Sequence, residues 1–224
     1  DRSPVDALPL FRQAHEIDPA DRDVVHGLMQ AMLGVRQYAE AEKVARDFLA
    51  RDKTFGLIYD DLYAVYGAGG RPKDAEQVFR DKVANNPAEV IYRLQLAAHF
   101  TNTNQPREME NSLRPLLTDA KTFPEGRLEA GQFYARLGMW EQARAVHEET
   151  VRTAPQLKLK AQKLLIQAAL ARNQTAEAEK IADATAAEFR DDDEARFLRA
   201  SLWVDSREKD KIKAAIAELH QLRD

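Results

Sequence analysis

The sequence predicts an all-α fold, a solenoid of about six helical hairpins with a single helix ahead of them, and three observations carry that prediction. Pro19, Pro87 and Pro155 are evenly spaced, two periods of a 34-residue ruler apart, and that ruler puts unit ends at Pro19, Lys53, Pro87, Lys121 and Pro155, with a sixth near Phe189 and Arg190. The block AEAEKVA at Ala39–Ala45 returns as AEAEKIA at Ala176–Ala182, displaced by four periods plus one inserted residue. Inside each interval apolar residues recur three and four positions apart, as in Leu62, Val65 and Tyr66 or Val78, Phe79 and Val83. That spacing lays one apolar stripe along a helix, and such a helix must bury its stripe against a neighbour. A fixed period of this length marks a stack of similar units, each covering the next.

Taken in order, Ala7, Phe11 and Ala14 place a helix over 4–17. Val25, Leu28, Met29 and Met32 place one over 21–34, opened by Asp21, whose carboxylate caps free amides and opposes the helix dipole. The turn Val35-Arg36-Gln37 leads into 37–51, which holds the first AEAEKVA block. Tyr59, Leu62, Tyr63 and Tyr66 give 55–68, ended by Gly67-Ala68-Gly69-Gly70-Arg71-Pro72, and Ala75, Val78, Phe79 and Val83 give 72–85, ended by Asn86-Pro87. Helices follow over 88–102 and 106–119, separated by Asn102–Pro106, then over 125–137 after Phe123-Pro124, and over 140–153 after Gly138. Leu164–Ala171 lies in a helix over 157–172, Asn173 breaks it from 174–189, and Asp191–Asp193 opens 192–206. The last helix, 209–222, carries Ile212, Ala215, Ile216, Leu219 and Leu222 as one stripe, with Lys211, Lys213, Glu218 and Gln221 outside it as a solvated cap. No strand is expected. No run approaches the roughly 18 apolar residues of a membrane span.

The spacing Ala7-x3-Phe11-x2-Ala14-x4-Pro19 fits the second-helix pattern of the tetratricopeptide repeat, and Ala75, Phe79 and Pro87 repeat most of it. Lys82 and Thr150 replace the second alanine, His147 stands where Phe79 stood, and Met109 with Leu113 make a degenerate unit. The first helices match more loosely, through Tyr59-x2-Leu62-Tyr63-x2-Tyr66 and Ala130-Gly131-x2-Tyr134. The chain thus resembles the tetratricopeptide-repeat family over essentially its whole length. The resemblance implies a right-handed α-α superhelix, residues 1–224 forming a single array whose last hairpin is 191–224. It places Ala41, Ala75 and Ala143 at close helix contacts and Phe11, Phe79 and Tyr134 between hairpins. Because the first helix matches a second-helix pattern, the segment reads as an excerpt of a longer protein.

The functional expectation is a non-enzymatic scaffold that binds a peptide or helix of a partner protein in a concave groove. The alternative is an accessory or spacer module of a larger enzyme or of an envelope or secretion assembly, with the active part outside this segment. A formal net charge of −4 offers no basic excess for nucleic acid, and zero cysteines exclude a disulfide framework or thiolate metal site. His15, His26, His99, His147 and His220 are scattered, with no pair four apart on one helical face, so no metal is expected. Gly67–Arg71 lacks the lysine and the strand of a phosphate loop and reads as a turn. No catalytic residue and no cofactor emerge. The family's two-carboxylate clamp uses lysine, asparagine and arginine where this chain has His26, Gln30, Asp61, Gln95, Glu129 and Lys163, so a different ligand is implied. By the family geometry the concave face carries Asp23, His26 and Gln30, then Asp60, Asp61 and Ala64, then Gln95 and Asn102, then Glu129 and Gln132, then Gln162, Lys163 and Ile166. Acidic and amide groups outnumber cations, which points to a partner segment carrying lysine or arginine, attracted by Asp60, Asp61 and Glu129.

Overall fold

A computed structural model describes residues 3–206 and 208–223. Among them are thirteen α-helices and no strand: α1 (Pro4–Ile17), α2 (Arg22–Gly34), α3 (Tyr38–Leu49), α4 (Gly56–Ala68), α5 (Pro72–Asn85), α6 (Val90–Asn102), α7 (Pro106–Thr118), α8 (Gly126–Arg136), α9 (Trp140–Thr153), α10 (Lys158–Ala171), α11 (Thr175–Glu188), α12 (Asp193–Val204) and α13 (Lys209–Arg223). Every predicted helix is present, with ends displaced by two residues at most. The chain divides into two compact units, one ending at Leu113 and the other starting at Arg114, so α7 runs across the boundary. In the first unit α2 packs on α1, α3 and α4, and α4 and α5 continue the order to α6. In the second, α8 packs on α9 and α10, and the neighbour-on-neighbour order runs through α11 and α12 to α13.

The period is written into the backbone at one kind of turn. Arg36, Gly70, Asn104, Gly138 and Asn173 each adopt the left-handed conformation, with φ of 62°, 66°, 55°, 71° and 58°. The residue after each sends its N–H back five positions: Gln37 to Met32, Arg71 to Tyr66, Gln105 to Phe100, Met139 to Tyr134 and Gln174 to Ala169, at 2.8–2.9 Å. This is the closing bond of a helix C-terminal motif that satisfies a carbonyl the ending helix would otherwise leave free. These turns keep the period of the sequence from Arg36 to Gly138, and the step from Gly138 to Asn173 is longer by one. The connector 154–157 between α9 and α10 is as long as 86–89 between α5 and α6 and winds the 3-10 turn Pro155–Leu157, and the extra residue lengthens α10, which has 14 residues where α6 has 13. At two of the other joints Asp21 accepts from the Val24 N–H at 2.9 Å and Asp192 from the Ala195 N–H at 2.7 Å, the capping expected of the acidic starts.

The second helices from α3 to α11 bury the same three positions. They hold Ala41, Ala45 and Phe48 in α3; Ala75, Phe79 and Lys82 in α5; Met109, Leu113 and Leu116 in α7; Ala143, His147 and Thr150 in α9; and Ala178, Ala182 and Thr185 in α11. The two threonines are satisfied locally, Thr150 donating to the Val146 carbonyl and Thr185 to that of Ile181, both at 2.7 Å. A lone hydroxyl thus fits an alanine slot at little cost.

The last helix departs from its expected stripe. Ile216 is exposed, and Glu218, expected outside, is nearly enclosed and receives the guanidinium of Arg199 at 2.5 Å and that of Arg196 at 3.1 Å. The two arginines of α12 draw the carboxylate inward and turn the isoleucine out. Ala215 remains the buried anchor.

The five turns make a direct prediction. Gly138→Ala places a β-carbon on a left-handed residue and should cost about 1–2 kcal/mol, whereas Arg36→Gly removes that strain and should gain about 0.5 kcal/mol. Urea unfolding midpoints that leave both variants at the wild-type value would contradict the turn assignment.

Candidate functional site

In the first unit the predicted residues assemble around the two aspartates of α4. Adjacent on one helix, they face different neighbours. Asp61 is buried, taking the Nδ1 edge of His26 at 2.8 Å on one oxygen and the Gln30 amide on the other, which ties α4 to α2. Burial pushes its pKa up, and the hydrogen bonds from His26 and Gln30 oppose that. Asp60 accepts from Lys82 Nζ at 2.6 Å, and the same ammonium donates to Gln95 Oε1 at 2.7 Å, joining α4, α5 and α6. Gln95 returns its own amide to Asp60 at 3.3 Å, and the Tyr92 ring lies 4.1 Å from the ammonium. Lys82 is 1% exposed, and burial lowers its pKa against the pull of Asp60. Next to this cluster Tyr63 stacks on Phe79 with ring centroids 4.1 Å apart, and its hydroxyl meets His99 Nδ1 at 3.1 Å. Burial lowers the pKa of His99.

The remaining predicted residues do not join that network. Asn102 is exposed at the end of α6, and Glu129 and Gln132 are half-buried on α8. Lys163 on α10 forms ion pairs with Asp192 at 2.8 Å and Glu194 at 2.7 Å, so it fastens the start of α12 instead of offering a free cation. The pair Tyr63 and Phe79 has its counterpart two periods on in Gly131 and His147. Here the slot holds one ring instead of two. A β-carbon on Gly131 would stand 2.3 Å from His147 Cε1, so the glycine is what admits the imidazole. His147 is 1% exposed, Nδ1 has no hydrogen-bond partner, and burial takes its pKa down to about 4.

Two expectations need correction. Asp60 and Asp61 do not lie open to a basic partner, because the first is neutralised by Lys82 and the second is enclosed with His26 and Gln30. The charge of these two aspartates is engaged within the fold, whereas Asp23 is exposed and Glu129 half-buried. Sequence reasoning also passes over Lys82 as a member of the site, although a lysine in a small-residue slot is the available signal: a cation there requires a carboxylate within reach. The titratable groups of the network give their hydrogen bonds to neighbouring helices, an arrangement suited to holding α2, α4, α5 and α6 in register. Among the described residues no group of three histidines or carboxylates is placed to hold a metal, and no helix is long and apolar enough to cross a membrane.

Two stability measurements check this geometry. Asp60→Ala strands a buried ammonium and should cost about 3 kcal/mol, Lys82→Met should cost about 1 kcal/mol or less, and the double variant should recover most of the loss. Additive losses in that cycle would remove the pair from its assigned role. For His147 the unfolded chain binds its proton near 6.5 and the folded chain only near 4, so stability falls as pH drops through that window. About 2–3 kcal/mol should be lost between pH 7 and pH 4 on this account. His147→Phe should abolish that component, and a stability difference from wild type that stays constant with pH would exclude it.

Comparison with known proteins bears on this architecture. The family model described as tetratricopeptide repeat matches residues 1–64. No curated protein matches the chain. Among solved structures, the C-terminal part of a TPR repeat-containing protein from Cytophaga hutchinsonii is 15% identical, with a TM-score of 0.51 over 98% of this chain and 90% of that one. A thermophilic TPR protein from Thermus thermophilus is 22% identical over 70% of this chain and 88% of its own, with a TM-score of 0.41. PilW, a type IV pilus biogenesis factor, is 17% identical over 90% and 92%, with a TM-score of 0.46. The first 64 residues are thus similar to the tetratricopeptide repeat by the family model, and helical hairpins of the same kind recur through both units, a fold shared with the Cytophaga hutchinsonii structure.

Proposed function

We propose that the chain is a non-enzymatic scaffold, residues 1–224 serving as one array whose first helices hold a peptide or helix of a partner protein. Tetratricopeptide repeats in general mediate protein–protein interaction, and the observation that carries the reading for this chain lies on α4 and α6. Leu57 and Ile91 are the second residues of these helices, one period apart, and are 46% and 54% exposed. Large apolar side chains repeated at one register on neighbouring helices form an exposed contact strip that water disfavours and a partner can cover. The half-buried polar groups of the same two helices, Asp60 and Gln95, are already engaged with Lys82, so apolar burial and not attraction of a basic segment supplies the driving force.

A selection of displayed 12-residue peptides on the intact chain tests this. Among the selected peptides, a class that covers this strip should bind the Leu57→Glu/Ile91→Glu variant at least tenfold more weakly while its thermal melting stays within about 2 °C of wild type, because the changed residues are exposed. The reading fails if no peptide is selected, or if every selected peptide binds both the double variant and the pocket variants described next as tightly as wild type.

A further inference from the structure

The second unit carries a pocket of about 410 Å³ between α8 and α10, floored by α9. It exists because of a substitution already described. Where Tyr63 and Phe79 fill their slot with two stacked rings, Gly131 and His147 place a single ring in theirs, and the neighbouring wall residues Ala135, Ala168 and Ala171 are small. Leu164 and the Trp140 ring complete an apolar lining, and the buried His147 ring lies beneath with an unpartnered nitrogen. At the edge Gln132 and Gln167 have no hydrogen-bond partner among the described residues. Arg136, exposed, is the only charged residue of the lining and makes no ion pair with the described residues, its guanidinium lying 6.0 Å from the Phe133 ring centroid.

Each of these features specifies part of an occupant. An apolar cavity with two aromatic rings in its lining favours an aromatic side chain over a polar one, since offset and edge-to-face ring contacts add to the burial. Two unengaged amides can each bond to an extended backbone, giving as well as accepting. A guanidinium with no internal counter-ion selects a carboxylate. The lysine nearest on α10 does not compete, because Lys163 is held by Asp192 and Glu194. We propose that this pocket takes an aromatic side chain of a partner segment that carries a carboxylate within one or two residues of it, the carboxylate pairing with Arg136 and the backbone with Gln132 and Gln167. The assignment rests on the scaffold reading above and gives it a second contact point, of stated chemistry.

The test uses the same displayed library on the intact chain, with selected peptides resynthesised and measured singly. In a Trp203→Phe background Trp140 is the sole tryptophan, so its emission reports occupancy of this pocket. Expected are peptides with an aromatic residue next to Asp or Glu that change Trp140 emission on binding. Ala171→Phe, which fills the pocket from an exposed position, should weaken them tenfold or more. Arg136→Gln should weaken them two- to fivefold, with that increment vanishing for the Asn or Gln version of the peptide and shrinking as salt rises. The proposal is overturned if selected peptides leave Trp140 emission unchanged and tolerate Ala171→Phe, or if replacing their acidic residue by lysine binds equally well. Should those peptides instead depend on Leu57 and Ile91, the scaffold reading stands and this pocket falls; if no peptide is selected at all, both fall.

Discussion

The structure depends on one constraint: no helix of a hairpin can bury its apolar stripe without the helices before and after it. Everything else follows from keeping those stripes in phase. The left-handed residue that closes α2, α4, α6, α8 and α10 sets where the following helix begins, and the bond five residues back fixes it there. That this residue is arginine at one turn, glycine at two and asparagine at two shows that the geometry is required and the side chain is only preferred. A local backbone event thereby sets the register of side chains that pack against the next hairpin along.

Within that frame the three buried positions of the second helices trade identity freely so long as polar atoms are satisfied. Alanine gives close approach, and threonine gives the same approach with its hydroxyl folded onto the preceding turn. Lysine is the extreme case. Lys82 reaches across to two first helices and draws Asp60 and Gln95 into the packing, so a stretch of surface that reads as acidic becomes part of the fold's internal wiring. Histidine in the slot of α9 that corresponds to Phe79 instead takes up the room that a glycine vacates. The first exchange closes a face and the second leaves a hollow beside it.

This contrast explains what could and could not be read from the chain alone. Helix positions were legible because the period is a property of spacing, and the inserted residue was legible from the displaced AEAEKIA block. The capping aspartates were legible because their role is local. The charge character of the face was not, since whether Asp60 is free depends on Lys82, on another helix. Ile216 and Glu218 misled for the same reason: their places are set by Arg196 and Arg199 of the preceding helix. Asp61 could be placed on the correct helix from its number in the repeat, but its burial follows from His26 and Gln30. His147 was visible as a departure from the repeat and Gly131 as part of a loose first-helix match, yet neither announces whether the slot between them is left hollow or filled.

The 3-10 turn at Pro155–Leu157 carries a consequence for how such a chain changes length. One residue added inside a helix would rotate everything after it by about 100° and swing the buried stripe to the outside. Added at the joint between hairpins, ahead of the first buried residue of α10, Ala161, it lengthens the start of that helix behind the 3-10 turn, and the next left-handed turn still arrives, at Asn173, with the same closing bond. The joints between units therefore act as expansion gaps. Drift in sequence length can accumulate there without changing which face of the following helix is buried, whereas the three-residue link inside each hairpin from α2–α3 to α10–α11 keeps its count.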